Sequence, residues 1–379
     1  MLPRSMALKV IIIPDKFKGT LRADEAAEAI ARGWRKARQA DVIELLPMSD
    51  GGDGFGAVMR DLLNAKEQRT RAHDAAHRVR TVKWWWEGRT KLSVIESAEA
   101  IGLAMLPRGK FHPFALDTFG LGELIQTAAA RGAQRCIMGI GGSATNDGGF
   151  GMARALGWRF MDGAGEIIEK WTELQRLEHI LAPRRRKLFA ELIVAVDVQN
   201  PLLGKVGATR VYGPQKGLRP GDFERAEKCL GRLARVVRQQ FGSDLARVAG
   251  TGAAGGLGFG LAAFLGARLE PGFELFARTA RLKGRLRSAD VVITGEGAID
   301  ESTLMGKGVG EIANLCRRLG IPCIGLAGKL GARKELGKVF PTVWGMTQLT
   351  TERRAQARPK FWLERLAEEA GKQWRNRAA

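Results

Sequence analysis

At 379 residues, 45% hydrophobic and 27% charged, the chain is long enough for two domains with sizeable cores and too apolar to be disordered. Its 61 lysines and arginines against 40 acids leave a net charge of +21, a balance that suits anionic partners such as nucleic acid, acidic membrane or phosphorylated small molecules. No zinc-finger spacing or RNA-binding aromatic signature accompanies the basic residues, so they read as a solvated surface and not as a specific nucleic-acid site.

In chain order, LKVIIIPD at residues 8–15 is a short β-branched run ending in Pro and Asp, which predicts a buried strand. RADEAAEAIARGWRKA at 22–37 predicts an amphipathic helix, with acids early and bases late as the helix dipole favours, and Thr20 is placed to cap it. DVIELLPM at 41–48 is the next strand, SDGGDG at 49–54 a turn, and FGAVMRDLLNA at 55–65 a second helix. This β-α-β-α order calls for a parallel sheet covered by helices. The texture changes near Arg71. RVRTVKWWWEGRTKLSVIES at 78–97 alternates and turns at Glu87-Gly88, which predicts a hairpin. Trp84, Trp85 and Trp86 cannot share one strand face, so at least one is exposed or packed beneath another element. Strands, glycine-rich turns and small-residue helices mix up to about Arg285. From Ala289 the α/β texture returns: ADVVITGEGAID into a glycine turn, the helix GVGEIANLCRRLG, the strand IPCIGLAG and the terminal helix PKFWLERLAEEAGKQW. Ends of one kind around a middle of another predict a discontinuous domain carrying an insertion.

Several clusters stand at predicted strand ends, where open α/β sheets place ligands. GIGGSATNDGG at 139–149 lies between the strand-like RCIM and a helix, so its glycines and the helix N-terminus suit an anion. The same residues fit the dinucleotide fingerprint, with Asp162 about twenty residues further on, and a tight turn without a ligand fits too. GTGAAG at 250–255 also matches that fingerprint, so each match is weak, and TNDGG interrupts what would be the helix start of a Rossmann turn. PDKFKGT offers Asp15, Lys16 and Lys18; SDGGDG offers Asp50 and Asp53; IVAVDVQNP offers Asp197; GPQKG offers Lys216; and TGEGAIDEST offers Glu296 and Asp300. No Walker A loop and no protein-kinase H-R-D or D-F-G occurs.

IIIPDKFKGTL, PMSDGGDG, DTFGLGELI, GIGGSATNDGG, GPQKG, GTGAAGGLG and VVITGEGAID, in this order from about Lys9 to about Gly328, resemble glycerate kinases of the bacterial ATP-dependent type. The resemblance implies an α/β protein. A flavodoxin-like (Rossmann-like), three-layer parallel-sheet domain would span residues 1–70 and 285–379, with a second α/β domain inserted at 71–284. It implies phosphorylation of D-glycerate by ATP with Mg²⁺, with 2-phosphoglycerate the expected product. A nicotinamide-dependent dehydrogenase and a catalytically inactive ligand-binding relative stay open as alternatives. Members more often carry PDSFKGS where this chain has Lys16 and Thr20, Arg or Lys at the position of Ala298, and GKAP where GKGV stands at 306–309.

Residue type and position then suggest the roles. Gly141, Gly142 and Ser143, with Thr145 and Asn146 as further donors, would cradle the ATP phosphates. Asp50 and Asp53 would hold Mg²⁺, with Asp197 as a third candidate. Lys216 would meet the transferred phosphoryl group, and Asp197 or Asp147 would accept the hydroxyl proton. Asp15, Lys16, Lys18, Glu296 and Asp300 would bind the organic acid. Cys136, Cys229, Cys316 and Cys323 form no C-x-x-C pair, which fits a reduced cytoplasmic enzyme. No signal peptide is evident, and AAGGLGFGLAAFLGA at 253–267 is shorter than a membrane span needs, so a small-residue helix in a core is expected. Small molecules are the expected partners, without a membrane or a specific nucleic acid; a homodimer is compatible.

Overall fold

A computed structural model describes residues 7–242, 244–304, 308–331, 336–337 and 339–374. Thirteen strands run in chain order among them: β1 (Lys9–Pro14), β2 (Val42–Leu45), β3 (Lys66–His73), β4 (Val79–Glu87), β5 (Leu92–Glu96), β6 (Arg135–Gly139) and β7 (Arg159–Asp162), then β8 (Leu177–Leu181), β9 (Glu191–Val196), β10 (Arg268–Pro271), β11 (Val291–Ile299), β12 (Cys323–Leu330) and β13 (Thr342–Gly345). The chain divides into an outer unit, Met1–Asp50 with Phe276–Ala379, and an inserted unit, Gly51–Leu275.

The outer unit is built on a five-stranded, wholly parallel sheet in the order β13-β12-β11-β1-β2. Renumbered within the unit this is 2-1-3-4-5, the flavodoxin-like arrangement. Val10, Ile11, Ile12 and Ile13 of β1 are fully buried, as an unbroken apolar run requires of a strand flanked and covered on both faces. The helix Ala23–Ala37 crosses the terminal helix Pro359–Gln373 closely: a Cβ on Gly33 would stand 2.0 Å from the Glu364 carbonyl oxygen. Beside that crossing, Trp34 is buried and its indole N–H donates to Asp41 Oδ2 at 2.9 Å. Thr20 does not cap this helix. Its hydroxyl donates to the Phe17 carbonyl at 2.9 Å inside the preceding turn, and Glu25 instead accepts from the Arg22 N–H at 3.1 Å.

The inserted unit carries a six-stranded sheet, β10-β9-β6-β5-β4-β3. β10, β9, β6 and β5 are parallel; β4 and β3 turn back antiparallel. The expected hairpin is present, with Trp85 opposite Val94 and Glu87 opposite Leu92. Trp84 and Trp85 are buried on opposite faces of β4, and Trp85 packs where a Cβ on Gly56 would collide with its ring at 1.9 Å.

The sequence reading puts the first boundary at residue 70; the division falls at Asp50/Gly51. Residues 66–73 are a strand, β3, which pairs along its whole length with β4. KEQRTRAH is polar on both faces because it is an edge strand, so it shows no apolar periodicity to find. The second boundary, expected at 285, falls at Leu275/Phe276. The helix expected over 253–267 runs over Ala253–Leu265, but Ala254, Gly255 and Gly256 have φ of 56°, 72° and 85°, so its first turn is a glycine loop. Among the described residues no helix is long and apolar enough to cross a membrane.

Candidate active site

In the inserted unit, β5, β6 and β9 end in register, with Glu96 opposite Gly139 and Gly139 opposite Ala195. Three segments gather at this carboxyl edge. The first is the turn Gly51–Gly54, held by the Glu96 carboxylate, which accepts from the N–H groups of Gly54 and Gly56 at 2.9 Å each. The second is the loop 139–149. Gly141 donates to the Gly51 carbonyl at 3.1 Å, and a Cβ on Gly142 (φ 74°) would stand 2.0 Å from Asp53 Oδ1. The third is the loop 250–256. Gly148 donates to the Gly255 carbonyl at 3.1 Å, and a Cβ on Gly255 (φ 72°) would stand 2.0 Å from the Thr145 carbonyl oxygen. The glycines therefore let backbone lie on backbone.

This arrangement is not a dinucleotide fold. β7, which ends in Asp162, belongs to a separate two-stranded sheet with β8. Asp162 Oδ1 accepts from the N–H groups of Ala164 and Glu166 at 3.0 Å each, so it closes a hairpin turn where a dehydrogenase would present a carboxylate to ribose. The second fingerprint match, GTGAAG, packs against the first.

Lys216 ends the helix Ala208–Lys216, and its ammonium is carried into the loop edge, donating to the Thr145 carbonyl at 2.6 Å and Ser143 Oγ at 3.1 Å. Burial pulls its pKa down to about 7, against the nearby Asp147 charge, which raises it. Asn146 donates through Nδ2 to Thr209 Oγ1 at 3.0 Å, on the same helix as Lys216. Thr145 Oγ1, Asn146 Oδ1 and Ser97 Oγ are buried without a hydrogen-bond partner among the described residues. Such atoms are rare in native interiors and cost about 1–3 kcal/mol each unless a ligand or water meets them.

Asp147 stands elsewhere than expected. It is fully buried, and its Oδ2 accepts from Thr118 Oγ1 at 2.7 Å, Gly151 N at 2.9 Å and Thr118 N at 3.0 Å, while Oδ1 accepts from Gly149 N at 3.3 Å. The carboxylate thus fills the N-terminus of the helix Phe150–Ala155, the place read from sequence as a phosphate seat. Burial, helped by Asp117, pushes its pKa up to about 6, and the donors oppose the shift. A carboxylate so enclosed has its oxygens committed to these four donors. Asp197, by contrast, directly follows β9 at the same sheet edge and is exposed.

The predicted acid-binding residues come together in the outer unit. Asp15, Lys16, Lys18, Glu296 and Asp300 line a cleft of about 490 Å³ at the carboxyl ends of β1, β11 and β12. Burial, with the charges of Asp50 and Glu296, pushes Asp15 up to about 7. Glu296 Oε1 accepts from Thr303 Oγ1 at 2.8 Å. Among the described residues no three His, Cys, Asp or Glu side chains form a metal-holding group. Mg²⁺ typically arrives on phosphates and asks the protein for one or two carboxylates, which Asp50 or Asp53 has the chemistry to supply.

A family model described as the glycerate kinase family matches residues 10–375. The chain belongs to the glycerate kinase family. It is 39% identical over 331 residues to a glycerate kinase of Halalkalibacterium halodurans, covering 86% of this chain and 87% of the relative. It is 38% identical over 328 residues to the glycerate 2-kinase of Escherichia coli, covering 85% and 86%. The crystal structure of a putative glycerate kinase 2 from Salmonella typhimurium superposes with a TM-score of 0.80 at 34% identity, covering 96% and 97%. Ala298 lies exposed on the cleft wall of the outer unit. Gly306 and Lys307 of the GKGV segment lie outside the described residues.

Glu96, Ser97, Thr118 and Thr209 were missed by sequence reasoning. Thr118 sits inside DTFGLGELI, but its partner Asp147 is 29 residues away, a distance no local pattern spans. The positioning role of Asp147 is testable. Asp147→Asn keeps the shape but turns an amide N–H₂ toward backbone donors, so the melting temperature falls, by a loss of about 1–3 kcal/mol. Turnover per folded molecule stays within about tenfold, because no reacting atom is touched. A fall in kcat of two orders of magnitude at an unchanged melting temperature would return Asp147 to the chemistry.

Proposed function

We propose that this protein transfers the γ-phosphoryl group of ATP to D-glycerate, giving 2-phosphoglycerate and ADP. The observation that carries the reading is the buried Lys216 ammonium at the loop 139–149, within a chain of the glycerate kinase family. A desolvated, pre-positioned cation is what charge build-up on a transferring phosphoryl group calls for. In this reading a glycerate oxygen forms the new bond to Pγ as the bond from Pγ to the β-phosphate oxygen breaks. Asp197 accepts the hydroxyl proton, Lys216 meets the transferred group, and Gly141, Gly142 and Ser143 line the approach. Asp147 holds the loop in register. Mg²⁺, carried on the phosphates and met by Asp50 or Asp53, supplies charge neutralisation when bound. The name of the E. coli relative, glycerate 2-kinase, favours the 2-hydroxyl. Work in the cytoplasm is favoured by four buried, unpaired thiols.

Phosphorus NMR of a reaction of the purified protein with ATP, Mg²⁺ and D-glycerate tests this. The expected result is a single 2-phosphoglycerate resonance growing with ADP. A clean 3-phosphoglycerate signal overturns the choice of hydroxyl, and unchanged ATP overturns the reaction.

A further inference from the structure

We infer that the cleft of the outer unit is the nucleotide site, a reading that rests on the proposed kinase activity and takes Asp15, Lys16, Lys18, Glu296 and Asp300 away from the organic acid. Position favours it. In the order β2-β1-β11-β12-β13 the direction of winding reverses between β1 and β11. Doubly wound sheets receive mononucleotides outside the carboxyl ends of the strands at that point. Asp15 directly follows β1, and Glu296 follows Gly295, the residue paired with Pro14, so both stand there.

Size and chemistry point the same way. A volume of about 490 Å³ falls within the range of roughly 300–1,000 Å³ that encloses drug-sized ligands, and a three-carbon acid fills only a small part of it. Phe17, Met346 and Ala355 give the cleft a buried apolar wall against which a base can lie. Glu296, pinned by Thr303, and Asp300 provide carboxylate acceptors for ribose hydroxyls or an exocyclic amine. Lys16 and Lys18 provide point charges for phosphates. Independently, the helix N-terminus of the inserted unit that looked suited to phosphate is already occupied by the Asp147 carboxylate.

Calorimetric binding of ADP and, separately, of D-glycerate to the full chain tests the assignment, using wild type, Glu296→Gln and Ala298→Trp. Ala298 is exposed, so the indole obstructs the cleft without entering a core. The expected result is an ADP Kd raised at least ~10-fold by Ala298→Trp and ~3-fold or more by Glu296→Gln, with the glycerate Kd within ~2-fold of wild type. ADP affinity unchanged in both variants overturns the inference, as does a loss of glycerate affinity, alone or alongside ADP. If Ala298→Trp does not fold, Glu296→Gln decides by the same criteria. Binding is read without turnover. A wild type that binds ADP but leaves glycerate unphosphorylated therefore overturns the proposed reaction and leaves the cleft assignment standing.

Discussion

Lys216→Met lowers kcat/KM for glycerate phosphorylation by about 10²–10³, the cost of removing one pre-positioned donor to developing charge (roughly 2.7–4 kcal/mol). The melting temperature moves little, because two effects oppose. The variant sheds the cost of burying an ammonium, and it strands the Thr145 carbonyl and the Ser143 hydroxyl, which the ammonium now satisfies. Lys216→Arg does not rescue: the buried pocket seats a compact ammonium on the Thr145 carbonyl and Ser143 Oγ, and a planar guanidinium is larger and directs its donors differently. The pH profile gives an independent signature. The charged form is the active one, and burial brings its pKa down to about 7 in the free protein. Log kcat/KM is therefore flat below that pH with respect to this group and falls with unit slope above it. The limb moves to higher pH in kcat, because bound phosphates favour the ammonium. In Lys216→Met the limb disappears. A wild-type profile flat through pH 9, or a variant retaining more than about a tenth of kcat/KM, would remove Lys216 from the phosphoryl-transfer step.

Asp197→Asn lowers kcat by about 10²–10⁴, the usual range for a lost general base, and leaves the melting temperature almost unchanged because the side chain is exposed at the end of β9. Steady-state kinetics beside a thermal melt separates this from Asp147→Asn, where stability falls and turnover survives. If Asp197→Asn keeps kcat within about tenfold, the proton goes to another acceptor and Asp197 only lines the edge.

Much of this was legible in the sequence. The unbroken run of β1 sets a buried parallel strand, because a strand covered on both faces cannot alternate. The Trp-rich hairpin follows from period-two alternation around Glu87-Gly88. The run of motifs resembling the family is a property of order along the chain, and needs no coordinates to read. The membership of β3 was not legible: an edge strand with polar faces carries no periodic signal, and only its pairing with β4 puts it in the inserted unit.

The sequence by itself determined that glycine loops and acidic turns stand at strand ends of an α/β chain, since those signals are local. It could not determine what each loop touches. The glycines of 139–149 and 250–256 match a dinucleotide fingerprint twice over, yet their φ values and close approaches serve loop-on-loop packing, a contact between segments over a hundred residues apart. Asp147 and Asp197 are both acids in turns after strands. Only the tertiary structure tells their surroundings apart, burying one under four donors and leaving the other exposed at the sheet edge. Burial and hydrogen-bond count, which set what a carboxylate can do, are properties of the packed neighbourhood and not of the residue's place in the chain.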